Sequence, residues 1–200
     1  MGTGTTQSLL QLREAAKSSA KPAVVMLVYG SFHDERSTLL RRWRKYFAQF
    51  NRLGEIHQPY ARFDRNDRLQ IRHEALAYNP PQLLLRQSAL VQAVDELFNQ
   101  YEDYLVHSHL VAKSLILEME RTTTELRANF VVALLTDRDD TKEMGSFLRR
   151  RGIATVDLAL DFDDPRFNNL PYDAHPSALA NKIFADRAYD AIVSTGRMPQ

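Results

Sequence analysis

An unbroken apolar segment, rich in β-branched residues, runs Ala23-Val24-Val25-Met26-Leu27-Val28-Tyr29-Gly30. Because no polar residue alternates with the apolar ones, the segment predicts a strand that is covered on both faces, as strands of parallel sheets are. The same profile returns at residues 129–135 and, more weakly, at 153–158. These three segments predict a parallel sheet.

Helical patterns lie between and after the predicted strands, at residues 83–98, 101–126, 141–150 and 177–193. Strands that alternate with helices are typical of α/β proteins, so we predict a three-layer α/β/α fold with a parallel sheet. We expect residues 1–200 to form one domain. Its irregular excursion, over about 54–81, could carry short strands of its own.

The composition excludes several classes of protein. Hydrophobic residues at 44% and charged residues at 26% indicate a globular chain, and a formal net charge of +1 gives no field to attract nucleic acid. The absence of cysteine excludes disulfides, thiolate metal sites and a cysteine nucleophile. No secretory leader or transmembrane segment is expected in these residues, and the compartment stays open.

The most informative motif is Asp173-Ala174-His175-Pro176-Ser177, which places a carboxylate and an imidazole two residues apart, directly before a predicted helix. Such a carboxylate can orient the imidazole, which is the arrangement that a serine hydrolase needs for its general base. A capping aspartate beside a surface histidine fits the same residues. Both interpretations stay open on spacing alone.

Residues 173–185 resemble the last sequence block of the SGNH/GDSL hydrolases, in which an aspartate and a histidine next to a proline precede the final helix. The start, Gly2-Thr3-Gly4-Thr5, resembles the second block of that superfamily, and Gly30-Ser31-Phe32-His33 occupies the place of the third. The resemblance implies a flavodoxin-like SGNH fold that hydrolyses small esters or acylated carbohydrates.

The resemblance also implies a role for each matched residue. His175 would be the general base and Asp173 would orient it, while the backbone N–H of Gly2, or alternatively of Gly4, would bind the oxyanion. The family's third block commonly supplies an asparagine as a further oxyanion donor, and here Ser31 or His33 would replace it. No metal or organic cofactor is required.

The family's nucleophile lies in a Gly-Asp-Ser turn ahead of the second block, and this sequence contains no Gly-Asp-Ser. We therefore expect a truncated or inactive form of the hydrolase. Ser31 follows a buried strand and could act as a substitute nucleophile, but the sharp turn with flanking glycines is lacking, which favours a strand end or a hydrogen bond there. The alternative function is a non-catalytic module that binds carbohydrate or acyl groups.

A segment with two histidines has a simpler interpretation than a metal site. His107-Ser108-His109 lies in a helical pattern, where positions two apart point in different directions, so we interpret it as polar surface instead of a metal pair.

The SGNH strand order predicts a sheet in which the strands beginning near 23, 129 and 153 lie in that spatial order. The 23–29 strand would then be at the edge of the sheet. An unprotected apolar edge predicts a homodimer, or aggregation, through this strand.

Overall fold

The computed structural model describes residues 4–48, 57–73 and 87–194 of a mixed α/β protein. The chain forms two compact units, one of Met1–Gln11 with Phe32–Leu117 (unit 1) and one of Leu12–Ser31 with Glu118–Gln200 (unit 2). The expectation of one domain over residues 1–200 stays a prediction.

The described part of the chain contains seven helices and seven strands. The helices are α1 (Thr5–Ala15), α2 (Phe32–Ser37), α3 (Arg41–Ala48), α4 (Ala89–Val106), α5 (Ser108–Glu125), α6 (Asp139–Arg150) and α7 (Ala178–Ser194). The strands are β1 (Val24–Tyr29), β2 (Tyr60–Phe63), β3 (Leu69–Arg72), β4 (Asn129–Leu134), β5 (Ala154–Asp157), β6 (Asn168–Asn169) and β7 (Asp173–Pro176).

Unit 2 is built on a parallel sheet of three strands in the order β1-β4-β5. Val24 lies opposite Asn129, and Val131 lies opposite Ala154. This order confirms the predicted arrangement of the three apolar segments, and among the described residues β1 pairs with β4 alone. β6 and β7 form a separate antiparallel pair.

Helix α6 connects β4 to β5 and packs closely on the sheet. Met144 and Leu148 are fully buried, and a Cβ atom at Gly145 would lie 2.5 Å from Leu134 Cδ1, so the glycine permits the close approach. Arg149 and Arg150 lie in the last turn, where cations complement the helix dipole.

Unit 1 has a small apolar cluster of Leu39, Phe47 and Tyr60, against which Trp43 packs. Tyr60 begins the antiparallel hairpin of β2 and β3. The hairpin lies inside the irregular excursion of about 54–81, where the sequence allowed for short strands. Asp64 shapes the hairpin turn, because its Oδ1 atom accepts the backbone N–H groups of residues 66 and 68 at 2.8 and 3.0 Å.

The structure corrects the predicted boundary between two long helices. The sequence pattern separates them near residues 98–101, whereas α4 continues to Val106 and α5 begins at Ser108. The break lies at His107, which caps α4 in the left-handed conformation with φ 53°. Glycine is the usual residue at such a cap, so a histidine gives the pattern no signal. Residues 83–86 of the predicted helix lie outside the described residues.

Candidate functional site

Asp173 and His175 lie together on the short strand β7. Oδ1 of Asp173 accepts the backbone N–H of His175 at 2.8 Å and lies 3.4 Å from Nδ1 of the imidazole. The backbone hydrogen bond from His175 is the largest cause that holds the pKa of Asp173 below its ordinary value. The pair is open to solvent, since the His175 side chain is 85% exposed.

The residues that follow the pair hold it at the start of α7. Ser177 is the N-cap, because its Oγ accepts the backbone N–H of Ala180 at 3.2 Å and donates to the Arg166 carbonyl at 2.6 Å. Asn169 also donates its side-chain amide to the Pro176 carbonyl, at 3.2 Å. These contacts fix the backbone on the C-terminal side of His175.

Ser31 lies where β1 ends, at the carboxyl edge of the parallel sheet. Its backbone N–H donates to Oγ1 of Thr141 at 3.2 Å, and Oγ1 of Thr141 lies 2.8 Å from Oγ1 of Thr136, which follows β4. Thr141 is 1% exposed. This buried hydroxyl therefore ties the ends of β1 and β4 together, at the edge where open α/β sheets bind their ligands.

A cleft of about 820 Å³ opens at the same edge of unit 2. Its lining comes from the end of β5 and the loops after β4 and β5, and includes the acidic residues Asp137, Asp157, Asp161 and Asp163 together with Arg138 and Phe162. Asp173 and His175 are not among the described residues that line it.

Of the two glycines proposed for an oxyanion hole, the structure describes only Gly4. Gly2 lies outside the described residues. Gly4 is buried in unit 1, and its backbone N–H already donates to Oε1 of Gln7 at 2.8 Å, as in a capping box. A Cβ atom at Gly4 would lie 2.9 Å from both the backbone N and the Oγ of Ser37. Gly4 could bind an oxyanion only if the Gln7 side chain moved away.

His33 is partly buried on α2 in unit 1, with its ring 4.4 Å, centroid to centroid, from the ring of Phe32. Burial, and then the positive charge of Arg36, lowers the pKa of His33 to about 4. The imidazole is therefore neutral near pH 7, and it can donate through only one ring nitrogen.

Sequence reasoning missed a partly buried contact between a histidine and an aspartate in unit 1. Nδ1 of His109 lies 2.7 Å from Oδ2 of Asp34, and the Asp34 side chain is 6% exposed. The prediction of a polar surface for His109 is therefore wrong. The partners are 75 positions apart in sequence, and nothing in either local pattern pairs them.

No family model, curated protein or solved structure matches this chain. Within residues 4–48, 57–73 and 87–194, no group of three histidine or acidic side chains is placed to hold a metal ion. None of the described helices combines the length and the hydropathy that a membrane span requires.

The arrangement on β7 can take up and release a proton. A carboxylate kept ionised beside an imidazole orients the ring and stabilises the imidazolium that forms when the ring accepts a proton. Attack on an ester also requires a hydroxyl within hydrogen-bond reach of the other ring nitrogen.

Proposed function

We propose that the chain is an SGNH-type ester hydrolase domain in a form without the Gly-Asp-Ser nucleophile block, with His175 as the general base and Asp173 as its orienting carboxylate. The contact between Asp173 and His175 carries the proposal, because it joins the two side chains that the resemblance requires immediately before the last helix. The parallel order β1-β4-β5 is compatible with it.

In the proposed chemistry, a serine hydroxyl attacks the acyl carbonyl while His175 removes the hydroxyl proton. His175 then gives this proton to the departing alcohol, and water releases the acyl group in a second cycle of the same transfers. Asp173 stays ionised throughout. Because the 200 residues contain no Gly-Asp-Ser, we expect little or no turnover from them alone.

The cleft of unit 2 favours a second candidate, a module that binds an acylated carbohydrate without cleaving it. Carboxylates accept hydrogen bonds from sugar hydroxyls, and Phe162 adds an aromatic residue to the lining. This candidate uses the carboxyl edge of the sheet and needs no nucleophile.

Hydrolysis of a short aryl ester tests the absence of turnover. We expect the wild type, His175→Ala and Asp173→Asn to react at the same rate as the control His57→Ala, which alters an exposed histidine of unit 1. A tenfold or larger loss that is specific to His175→Ala and Asp173→Asn would show that a serine of this chain works with His175.

Ligand titration followed by NMR separates the two candidates. For the hydrolase, an uncleavable aryl phosphonate should shift the backbone amides of residues 173–177, and His175→Ala should abolish the shifts. For the binding module, an acetylated oligosaccharide should shift the amides of residues 157–163 in the wild type and in His175→Ala alike. If phosphonate shifts near residue 175 are absent, or survive in His175→Ala, the hydrolase proposal is wrong.

A further inference from the structure

Helix α4 packs its polar side against the rest of unit 1 and exposes its apolar side to solvent. Its buried residues are Asp95 and Asn99. A surface helix normally does the opposite, burying an apolar stripe and exposing the charged face.

Ion pairs attach the polar side of α4 to α3. Asp95 binds both Arg41 and Lys45, each at 3.0 Å. Two turns further on, Oε1 of Glu102 accepts from Arg44 at 2.8 Å, and Oε2 accepts the backbone N–H of Arg41 at 2.5 Å. Arg62 of β2 also binds Glu102, at 3.0 Å. The charged side chains of α4 are thus largely paired with other residues of unit 1.

The exposed side of α4 carries a seam with the spacing of a helix-pairing surface. Five large side chains follow one another at alternating steps of four and three residues, which keeps them on one line along the helix. This α4 seam consists of Leu90, Val94, Leu97, Tyr101 and Tyr104, which are 43% to 73% exposed.

The flanks of the seam suit a second copy of the same helix. Phe98 and Leu105 extend the apolar surface on one side, at 57% and 56% exposure, and the residues on the other side are Ala93 and Gln100. No charged residue flanks the seam, so two identical helices would bring no like charges together.

The size of the apolar surface also fits a dimer. A large side chain has roughly 150 to 250 Å² of accessible surface when it is fully exposed. At their exposed fractions, the five residues of the α4 seam together with Phe98 and Leu105 expose on the order of 800 Å² per copy. A standard protein interface buries about 800 Å² on each partner.

The charge of α4 disfavours a lipid surface as the occupant. The helix has four carboxylates, those of Asp95, Glu96, Glu102 and Asp103, and no lysine or arginine. Helices that lie on membranes carry basic residues on the polar face, where they meet anionic headgroups. We propose that the α4 seam is a homodimer interface, in which α4 packs against α4 of a second copy around a two-fold axis.

Cross-linking tests the interface directly, because the chain has no cysteine of its own. Leu97 is the middle residue of the seam, so it meets its own copy whether the two helices run parallel or antiparallel. We expect Leu97→Cys to form an intermolecular disulfide on mild oxidation, and Leu90→Cys to do so only in a parallel pair. The matched control is Tyr189→Cys, a comparably exposed position on α7, at 57%; equal rates for Leu97→Cys and Tyr189→Cys would overturn the proposal.

Sedimentation measures the association itself, in a Val28→Lys background that suppresses pairing through the β1 edge. We expect a dimer whose Kd rises roughly 100-fold or more in Leu97→Glu, because the new carboxylate would be buried without a partner. Tyr189→Glu should leave the Kd unchanged. An unaltered circular dichroism spectrum and thermal midpoint would exclude misfolding of Leu97→Glu. A monomer at concentrations up to about 1 mM, or binding of the Val28→Lys protein to phosphatidylcholine vesicles, would contradict the proposal.

Discussion

Single side chains in unit 1 have pKa values that their surroundings move away from the ordinary ones. His33 is the clearest case, because burial and Arg36 together lower its pKa to about 4. Asp95 shows the opposite balance: burial acts to raise its pKa, yet hydrogen bonds from Lys45 and Arg41 keep the pKa below its ordinary value. Burial thus dominates the pKa of His33, whereas the adjacent cations outweigh burial in the pKa of Asp95.

The lowered pKa of His33 predicts a loss of stability in acid. Between pH 6.5 and about pH 4 the unfolded chain binds a proton at this histidine and the folded chain does not, so the free energy of unfolding falls as the pH falls. The contribution is on the order of 3 kcal/mol at most.

Chemical denaturation of the wild type and of His33→Asn at pH 7 and pH 4.5 measures this contribution. The variant should lose less stability on acidification than the wild type, whereas the exposed control His57→Asn should lose as much as the wild type. Parallel losses in all three proteins would show that His33 is protonated in the folded state.

Among the elements, α4 depends on charge for its attachment. Asp95 is 5% exposed, while its partners Arg41 and Lys45 are 32% and 45% exposed at the side chain. The cations can therefore regain water if the carboxylate is removed, which limits the cost of losing the pair.

We predict that Asp95→Ala lowers the free energy of unfolding by about 2 kcal/mol. Glu14→Ala is the control, because it removes a partner from the exposed pair of Glu14 and Lys17, and it should change stability by less than about 0.5 kcal/mol. Urea denaturation followed by circular dichroism gives both values. Equal effects of the two substitutions would mean that the contact of Asp95 with α3 contributes nothing measurable.

The elements also show what sequence reasoning can and cannot predict. β1 and β4 are identified correctly because each is a continuous apolar run, a property that the sequence displays locally. The prediction that β1 is covered on both faces is wrong at Val28, which is 43% exposed. The break at His107 is missed because a left-handed histidine looks like any polar helical residue. Sequence reasoning misses the contacts of Asp34 with His109 and of Asp95 with Arg41. These partners are far apart in sequence, and only folding brings them together. Asp173 and His175 are found because their contact spans two residues.

At the scale of the whole molecule, the apolar strand β1 is a second surface through which copies could associate. Among the described residues it pairs only with β4, and Val28 is 43% exposed. The strand contains no charge or proline that would discourage pairing with another copy.

We predict that Val28→Lys removes association through this edge, because a lysine on an edge strand opposes the pairing of two copies. Light scattering should then show smaller particles for Val28→Lys than for the wild type, while Val193→Lys, a comparably exposed valine on α7 (42%), should match the wild type. Identical particle sizes for all three proteins, with the amides of Val24 to Val28 strongly protected from exchange, would contradict the edge interpretation.

The ionic attachment of α4 implies an unusual response to added sulfate. Because the carboxylates of Asp95 and Glu102 are largely buried, ions screen their contacts only in part and loosen the helix from its support only at high concentration, whereas sulfate strengthens apolar association between copies through the α4 seam. The two effects have opposite signs. Self-association of the Val28→Lys protein should therefore rise at low sulfate, reach a maximum, and decline once the support of α4 weakens, and a sedimentation series in sodium sulfate would trace this curve.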